Sequence, residues 1–296
     1  MELGAEFQIP NWDKPPKQVV SLVPSITESL FALGFGDSVV GVTDYCIHPK
    51  DLLTGVERIG GPKTPKVNRI VEIAPDLVIA DQEENDKETI FEVHEAGLQV
   101  WVTATKTVDD SLDLLRQILA LYHTDKPVMM INSLQIGVDY ARAAARAEEL
   151  VRYFCPIWYQ ADEGMEWWMT FNRETYVHDL LGLFGGVNVF ATRERRYPLE
   201  ADLGLTDPEA ACDRDTRYPR VRLEEVQEGQ PDVIFLPDDP FKFSLRHKEI
   251  LVAGLKDTPA VRNNRIYFLD GSLITWPGVR LGKALQEMPG YFYPGL

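Results

Sequence analysis

The residues able to do chemistry or to grip a ligand fall in six short stretches: VPSITE (23–28), TDYCIHP (43–49), IWYQ (157–160), MEWWMTF (165–171), FKFSLRH (241–247) and TWPGVR (275–280). In the first, Ser25 stands where a Val-rich run meets a helical pattern. A serine nucleophile at such a junction needs a Gly-x-Ser-x-Gly elbow and a histidine base, and a phosphate loop needs glycines and a lysine before the serine. Neither set is present. Ser25-Ile26-Thr27-Glu28 instead fits a capping box, with Ser25 accepting from the Glu28 amide. A helix capped in this way still points free amides at whatever lies beyond it.

Two kinds of ligand grip are open in the other stretches. Tyr45, Cys46 and His48, met by His247 from the second half of the chain, are residue types that ligate a transition metal or haem iron. No HxH or HExxH spacing supports them, and His94, His123 and His178 lie on helical patterns as structural residues. The second grip is aromatic. Trp158, Tyr159, Trp168 with Met169, Phe241 and Trp276 offer broad apolar contact to a flat macrocycle or an aryl chelator. Arg280 pairs either with a ligand carboxylate or phosphate or with an acidic neighbour. The acidic pairs Glu83–Glu84 and Asp238–Asp239 could suggest an enzyme using carboxylates, but they occupy equivalent loops of the two halves, where solvated charge is the ordinary explanation.

Composition narrows the partners. Against 46 Asp and Glu stand 30 Lys and Arg, a formal charge of −16 over 296 residues, which excludes a nucleic-acid backbone. The run RERR (193–196) is too short to reverse this and reads as a solvated loop. Three cysteines without a CxxC pair exclude a zinc knuckle or a disulfide framework. No apolar run approaches the roughly 18 residues of a membrane span. The opening MELGAEF places acids where an export leader carries Lys or Arg. The expected location is therefore cytoplasmic as the chain stands, and periplasmic or cell-surface if a leader was trimmed; a monomer is expected.

These residues need a scaffold, and the pattern supplies one. VVSLV, VVGVT, DLVIAD and QVWVT read as strands alternating with helical periods, the mark of βα units around a mainly parallel sheet. After Pro127 a helix-forming run without turn signals predicts one long helix within 126–150. VNRIVEIAPDLVIADQEE (67–84) and LEEVQEGQPDVIFLPDDP (223–240) share one layout: helix, Pro-Asp, apolar strand, acidic loop. The predicted organisation is a duplicated α/β lobe: residues 1–125, a backbone helix 126–150, and a second lobe 151–296. Ligands of such folds sit at the carboxyl ends of the strands, here in a cleft between lobes.

VVSLVPSITESLFALGFGDSVVGVTDYCIHP with GGPKTPKVNRIVEIAPDLVIAD, and later MTFNRETYVHDLLGLFGGVNVF with LDGSLITWPGVRLGKAL, resemble the vitamin-B12 and ferric-siderophore binding proteins of ABC importers. The resemblance runs from about Val19 to Met288. It implies two α/β lobes on one backbone helix; that the chain is not an enzyme is expected separately, since it holds no Rossmann fingerprint, catalytic triad or metalloprotease helix motif. The bound ligand would be a metal chelate (cobalamin, haem or a ferric siderophore), with no intrinsic cofactor. Tyr45 matches a tyrosine that packs on the corrin face, while Pro62 and Asp81 stand where tryptophans are expected. The family docks on a permease through one acid per lobe. Glu224 matches the second, and Asn68 replaces the first. One alternative follows: a cytoplasmic relative that buffers or senses such a ligand without a permease.

Overall fold

The structure is a computed structural model that describes residues 4–162 and 164–295; residues 1–3, with Glu2 of the opening stretch, Glu163 and Leu296 lie outside it. The chain divides into two compact units: Met1–Ile136 with Trp276–Gly282, and Gly137–Thr275 with Lys283–Leu296.

The first unit is a five-stranded parallel sheet in the order β3-β2-β1-β4-β5. Its strands are β1 (Val19–Ser21), β2 (Val39–Val42), β3 (Glu57–Arg58), β4 (Leu77–Asp81) and β5 (Val100–Thr103). Helices α1 (Pro24–Ala32), α2 (Val67–Ile73), α3 (Lys87–Glu95) and α4 (Val108–Leu121) follow β1, β3, β4 and β5. All five residues of β4 are buried, as a strand of a parallel sheet covered on both faces requires. One core cluster joins Val20, Val78 and Val100 of the sheet to Ile70 of α2 and Val93 of α3.

Helix α1 does not carry the expected capping box. Its N-cap is Val23, with Pro24 in the first turn and no side-chain cap. Glu28 turns away from Ser25 because a stronger partner reaches it: Arg280 donates from Nε and Nη2 to its two carboxylate oxygens at 2.7 and 2.6 Å. A forked guanidinium pair outcompetes one neutral cap bond. The segment Trp276–Gly282 that brings Arg280 falls inside the 151–296 span read as the second lobe, yet it packs with the first unit. The Gly278 amide donates to Ser111 Oγ at 2.6 Å. Gly278 sits at φ +96°, and a Cβ there would come within 2.3 Å of Ser29 Oγ. Only glycine fits.

Helix α5 (Val128–Ala145) has 18 residues, on the order of 27 Å, and carries the chain from the first unit into the second. The second unit has a parallel sheet in the order β12-β11-β6-β9 and a separate antiparallel sheet in the order β10-β8-β7. Its strands are β6 (Val151–Phe154), β7 (Trp158–Asp162), β8 (Met165–Met169), β9 (Gly186–Asn188), β10 (Arg220–Val221), β11 (Val233–Pro237) and β12 (Ile266–Leu269). Its helices are α6 (Tyr176–Leu183), α7 (Leu199–Asp202), α8 (Leu223–Gly229), α9 (Leu245–Gly254), α10 (Pro259–Arg262), α11 (Ser272–Thr275) and α12 (Leu281–Phe292).

The order β9-β6-β11-β12 repeats β2-β1-β4-β5. Helices α2 and α8 both end on a left-handed residue, Ala74 (φ 48°) and Gln230 (φ 46°), followed by Pro-Asp and a strand. The two aspartates do the same work. Asp76 Oδ2 accepts from the amides of Lys17 and Gln18 before β1, and Asp232 Oδ2 from the amide of Arg152 in β6. The two halves share a topology and the pins that hold it.

Candidate ligand-binding site

The antiparallel sheet of the second unit sorts its aromatic residues. Successive side chains of a strand point to opposite faces, and directly opposed residues share a face. Tyr159 pairs with Trp168, which pairs with Val221, and these three point to the core. Trp168 is fully buried, 4.5 Å from the Tyr159 ring and stacked on Phe243 at 5.9 Å. This corrects the placement of Trp168 among residues that touch a ligand: its indole packs the core. The other face carries Trp158 opposite Met169, and Met169 opposite Arg220.

Trp158 is 38% exposed. Its ring lies 5.2 Å from that of Phe241, which lies 4.8 Å from Phe243 and 5.3 Å from His247. Tyr159, half-buried, reaches the same cluster 5.0 Å from His247 and donates its hydroxyl to Glu166 at 3.0 Å. Aromatic contact thus runs without a break from the exposed Trp158 to the buried Trp168.

His247 is held against metal ligation. Its Nδ1 accepts from the Ser244 amide at 2.9 Å and so caps α9, which leaves the proton of the neutral ring on Nε2. A histidine that ligates through Nε2 has the reverse arrangement, with Nδ1–H donating. Burial foremost, and the Arg246 charge next, hold its pKa below the ordinary value. The metal-ligating expectation for His247 is corrected on this ground.

In the first unit the TDYCIHP loop splits by exposure. Tyr45 is 59% exposed, and Ile47 and Leu52 beside it are also open. His48 is half-buried, its ring 5.9 Å from Trp276. Cys46 points inward, its Sγ 3.2 Å from the hydroxyls of Thr27 and Thr43, and burial pushes the thiol pKa up. A protonated, buried thiol is neither a ligand nor a nucleophile, so Cys46 leaves the candidate set. Ser25 is buried as well. Trp276 is 7% exposed with the Arg280 guanidinium 4.9 Å from its ring centre. Arg280, bound to Glu28, takes the acidic neighbour of its two alternatives. Where tryptophans were expected, Asp81 accepts from Thr103 Oγ1 at 2.6 Å and from the Glu83 amide at 2.8 Å, and Asn85 donates to the Pro62 carbonyl at 2.8 Å. Among the described residues no group of three or more His, Cys, Asp or Glu is placed to hold a metal ion, and His48 has no such companions.

The RERR run is not a solvated loop. The Arg193 side chain is 12% exposed and bridges Asp202 at 3.0 Å and Glu225 at 3.3 Å. Asp202, with no exposed side chain, also accepts from the amides of Arg196 at 2.9 Å and Arg220 at 2.8 Å. Asp202 thereby ties residues 193–196 to β10. Sequence reasoning missed Arg195, Tyr197, Asp202 and Arg220, whose partners are distant in sequence, as Trp167 is from Arg220. It also passed over a signal that was present: the alternation in MEWWM places Trp167 and Met169 on one face and Trp168 on the other.

Several comparisons agree on kinship. The vitamin B12-binding protein of Vibrio cholerae serotype O1 is 25% identical over 279 residues, covering 94% of this chain and 89% of that protein. An uncharacterized ABC transporter substrate-binding lipoprotein of Bacillus subtilis is 26% identical over 281 residues, 95% of this chain and 81% of that protein. The structure of a periplasmic heme-binding protein from Roseiflexus sp. RS-1 superposes with a TM-score of 0.72 at 25% identity, covering 94% of this chain and 98% of that one. The model of the periplasmic binding protein family matches residues 19–273. The chain is a binding protein and not an enzyme, and it belongs to the periplasmic binding protein family.

Proposed function

We propose that the chain is the substrate-binding subunit of an ABC importer and that its cargo is a planar or macrocyclic metal chelate. The observation that carries this is the Trp158–Phe241 pair, exposed at its tip and braced from behind by Phe243 and Trp168. A rigid ring fixed by a buried stack binds a flat apolar ligand with little loss of rotamer freedom. Met169 shares the outer face with Trp158, Tyr159 and His247 stand behind them in the aromatic cluster, and Tyr45 and His48 are the ligand-facing candidates of the first unit. Relatives described as vitamin B12- and heme-binding proteins make a corrinoid, haem or ferric siderophore the chelates to test. Such a ligand is cargo, not a cofactor. The relatives are periplasmic or lipoprotein binding proteins, which favours a transport subunit over a cytoplasmic carrier. Titration with cyanocobalamin, haem and a ferric hydroxamate, followed by tryptophan fluorescence, tests the reading; no quenching by any of them at tens of micromolar would sink it.

The permease contact belongs to this proposal. Asn68 and Glu224 are the exposed second residues of α2 and α8, at matching places of the repeated layout. Glu224 is the docking acid of the second unit. In the first unit Asn68 brings no charge, and Glu72 is occupied by Arg69 at 2.5 Å.

A further inference from the structure

The outer face of the antiparallel sheet ends in positive charge. Trp158, Met169 and Arg220 are directly opposed across β7, β8 and β10, so their side chains stand in one row about 5 Å apart. A flat ring lying on Trp158 and Met169 therefore presents its rim to Arg220. The Arg220 guanidinium is half-buried, 5.6 Å from the Trp167 ring, and donates from Nη1 to the Tyr218 carbonyl at 3.0 Å. Arg195, also half-buried, lies over the Tyr197 ring at 4.3 Å, and Arg214 lies over the same ring at 4.0 Å.

Among the described residues neither Arg195 nor Arg220 makes an ion pair. The nearby acids are taken. Asp202 is filled by Arg193 and the amides of Arg196 and Arg220. Asp215 is filled by Arg217, which donates from Nε and Nη2 at 3.0 and 2.7 Å and from its amide at 2.9 Å. Burial first, and repulsion from Arg195 second, lower the pKa of Arg220. Two half-buried guanidiniums that repel one another and make no ion pair among the described residues, with Asp202 and Asp215 offsetting part of that repulsion from a distance, are an arrangement that a bound anion relieves.

We propose that Arg195 and Arg220 form an anion receptor at the rim of the aromatic face, and that the chelate held there carries carboxylates on its edge. The proposal rests on the chelate reading above. It separates an acidic macrocycle from a corrinoid, whose rim is amide.

Two arms of one experiment test it. Haem, with two rim carboxylates, is compared with its dimethyl ester, of the same shape and no rim charge, and with cyanocobalamin. The expected result is about tenfold tighter binding of haem than of the ester. That ratio should fall to near one in Arg220→Gln and recover partly in Arg220→Lys, all with unchanged circular dichroism. Equal binding of haem and ester, or an unchanged ratio in Arg220→Gln, overturns the receptor while leaving the chelate reading intact. The second arm needs no chelate. Citrate should raise the thermal midpoint relative to chloride at equal ionic strength, and the Arg195→Gln/Arg220→Gln double variant should lose that gain. If no chelate binds, the chelate reading fails, and the citrate arm alone decides the receptor: a gain lost in the double variant sustains it, and no gain overturns it.

Discussion

At the scale of residues, Trp158 and Trp168 differ in exposure. Trp168 fills the core and Trp158 caps it from outside. Trp168→Ala should therefore cost about 3–5 kcal/mol of stability by leaving a cavity. Trp158→Ala should cost little stability and weaken chelate binding by about 1–3 kcal/mol. Urea denaturation and ligand titration on both variants check this, and the opposite assignment of the two losses would overturn it. His247 gives a pH test. Its folded pKa is depressed, by burial first and Arg246 second, so the unfolded chain takes up a proton at a higher pH than the folded one. The stability associated with neutral His247 is present above about pH 6.5 and is lost as pH falls from there through the folded value. His178, lowered foremost by burial, acts in the same direction. The urea midpoint should fall between pH 7 and pH 5, more shallowly in His247→Gln.

At the scale of elements, the loop between β9 and β10 depends on one carboxylate. Asp202, at the end of α7, has its oxygens filled by a guanidinium and two backbone amides. Asp202→Ala would strand the Arg193 charge and leave the part-buried amides of Arg196 and Arg220 without that acceptor, a loss of about 3–5 kcal/mol. Equilibrium denaturation measures it; a change below 1 kcal/mol would mean that water replaces the carboxylate and that the loop is not held as described. Because Asp202 orders both Arg193–Arg196 and the start of β10, the same change should also loosen the positions of Arg195 and Arg220.

At the scale of the whole molecule, the duplicated α/β plan places Asn68 and Glu224 at matching, exposed helix starts of the two units. Charged rim contacts chiefly steer and orient an encounter, and salt screens them. With Glu224 charged and Asn68 neutral, docking on a permease should be weak. Asn68→Glu should raise affinity for a reconstituted permease several-fold at low salt and much less at high salt. Tight, salt-sensitive docking by the unmodified chain would show that another first-unit acid makes the contact.

Local pattern carried far in this sequence. The repeated helix–Pro-Asp–strand layout disclosed the two matching sheets, because a parallel strand buried on both faces must be apolar along its length, and Pro after a helix must end it. A helix-forming run without turn signals after Pro127 gave a long helix within 126–150, where α5 (Val128–Ala145) lies. The site was legible only as composition: aromatic residues concentrated in IWYQ, MEWWMTF and FKFSLRH. Which of them point into the core and which away from it was decided by register. The pairing of β8 with β7 and β10 sends Trp168 inward and Trp158 outward, and it joins residues as distant in sequence as Trp168 and Val221. Ion pairs were the least legible. Glu28 meets Arg280 across 252 positions and Arg193 meets Asp202 around a turn, and a charge finds its partner only when packing removes both from water.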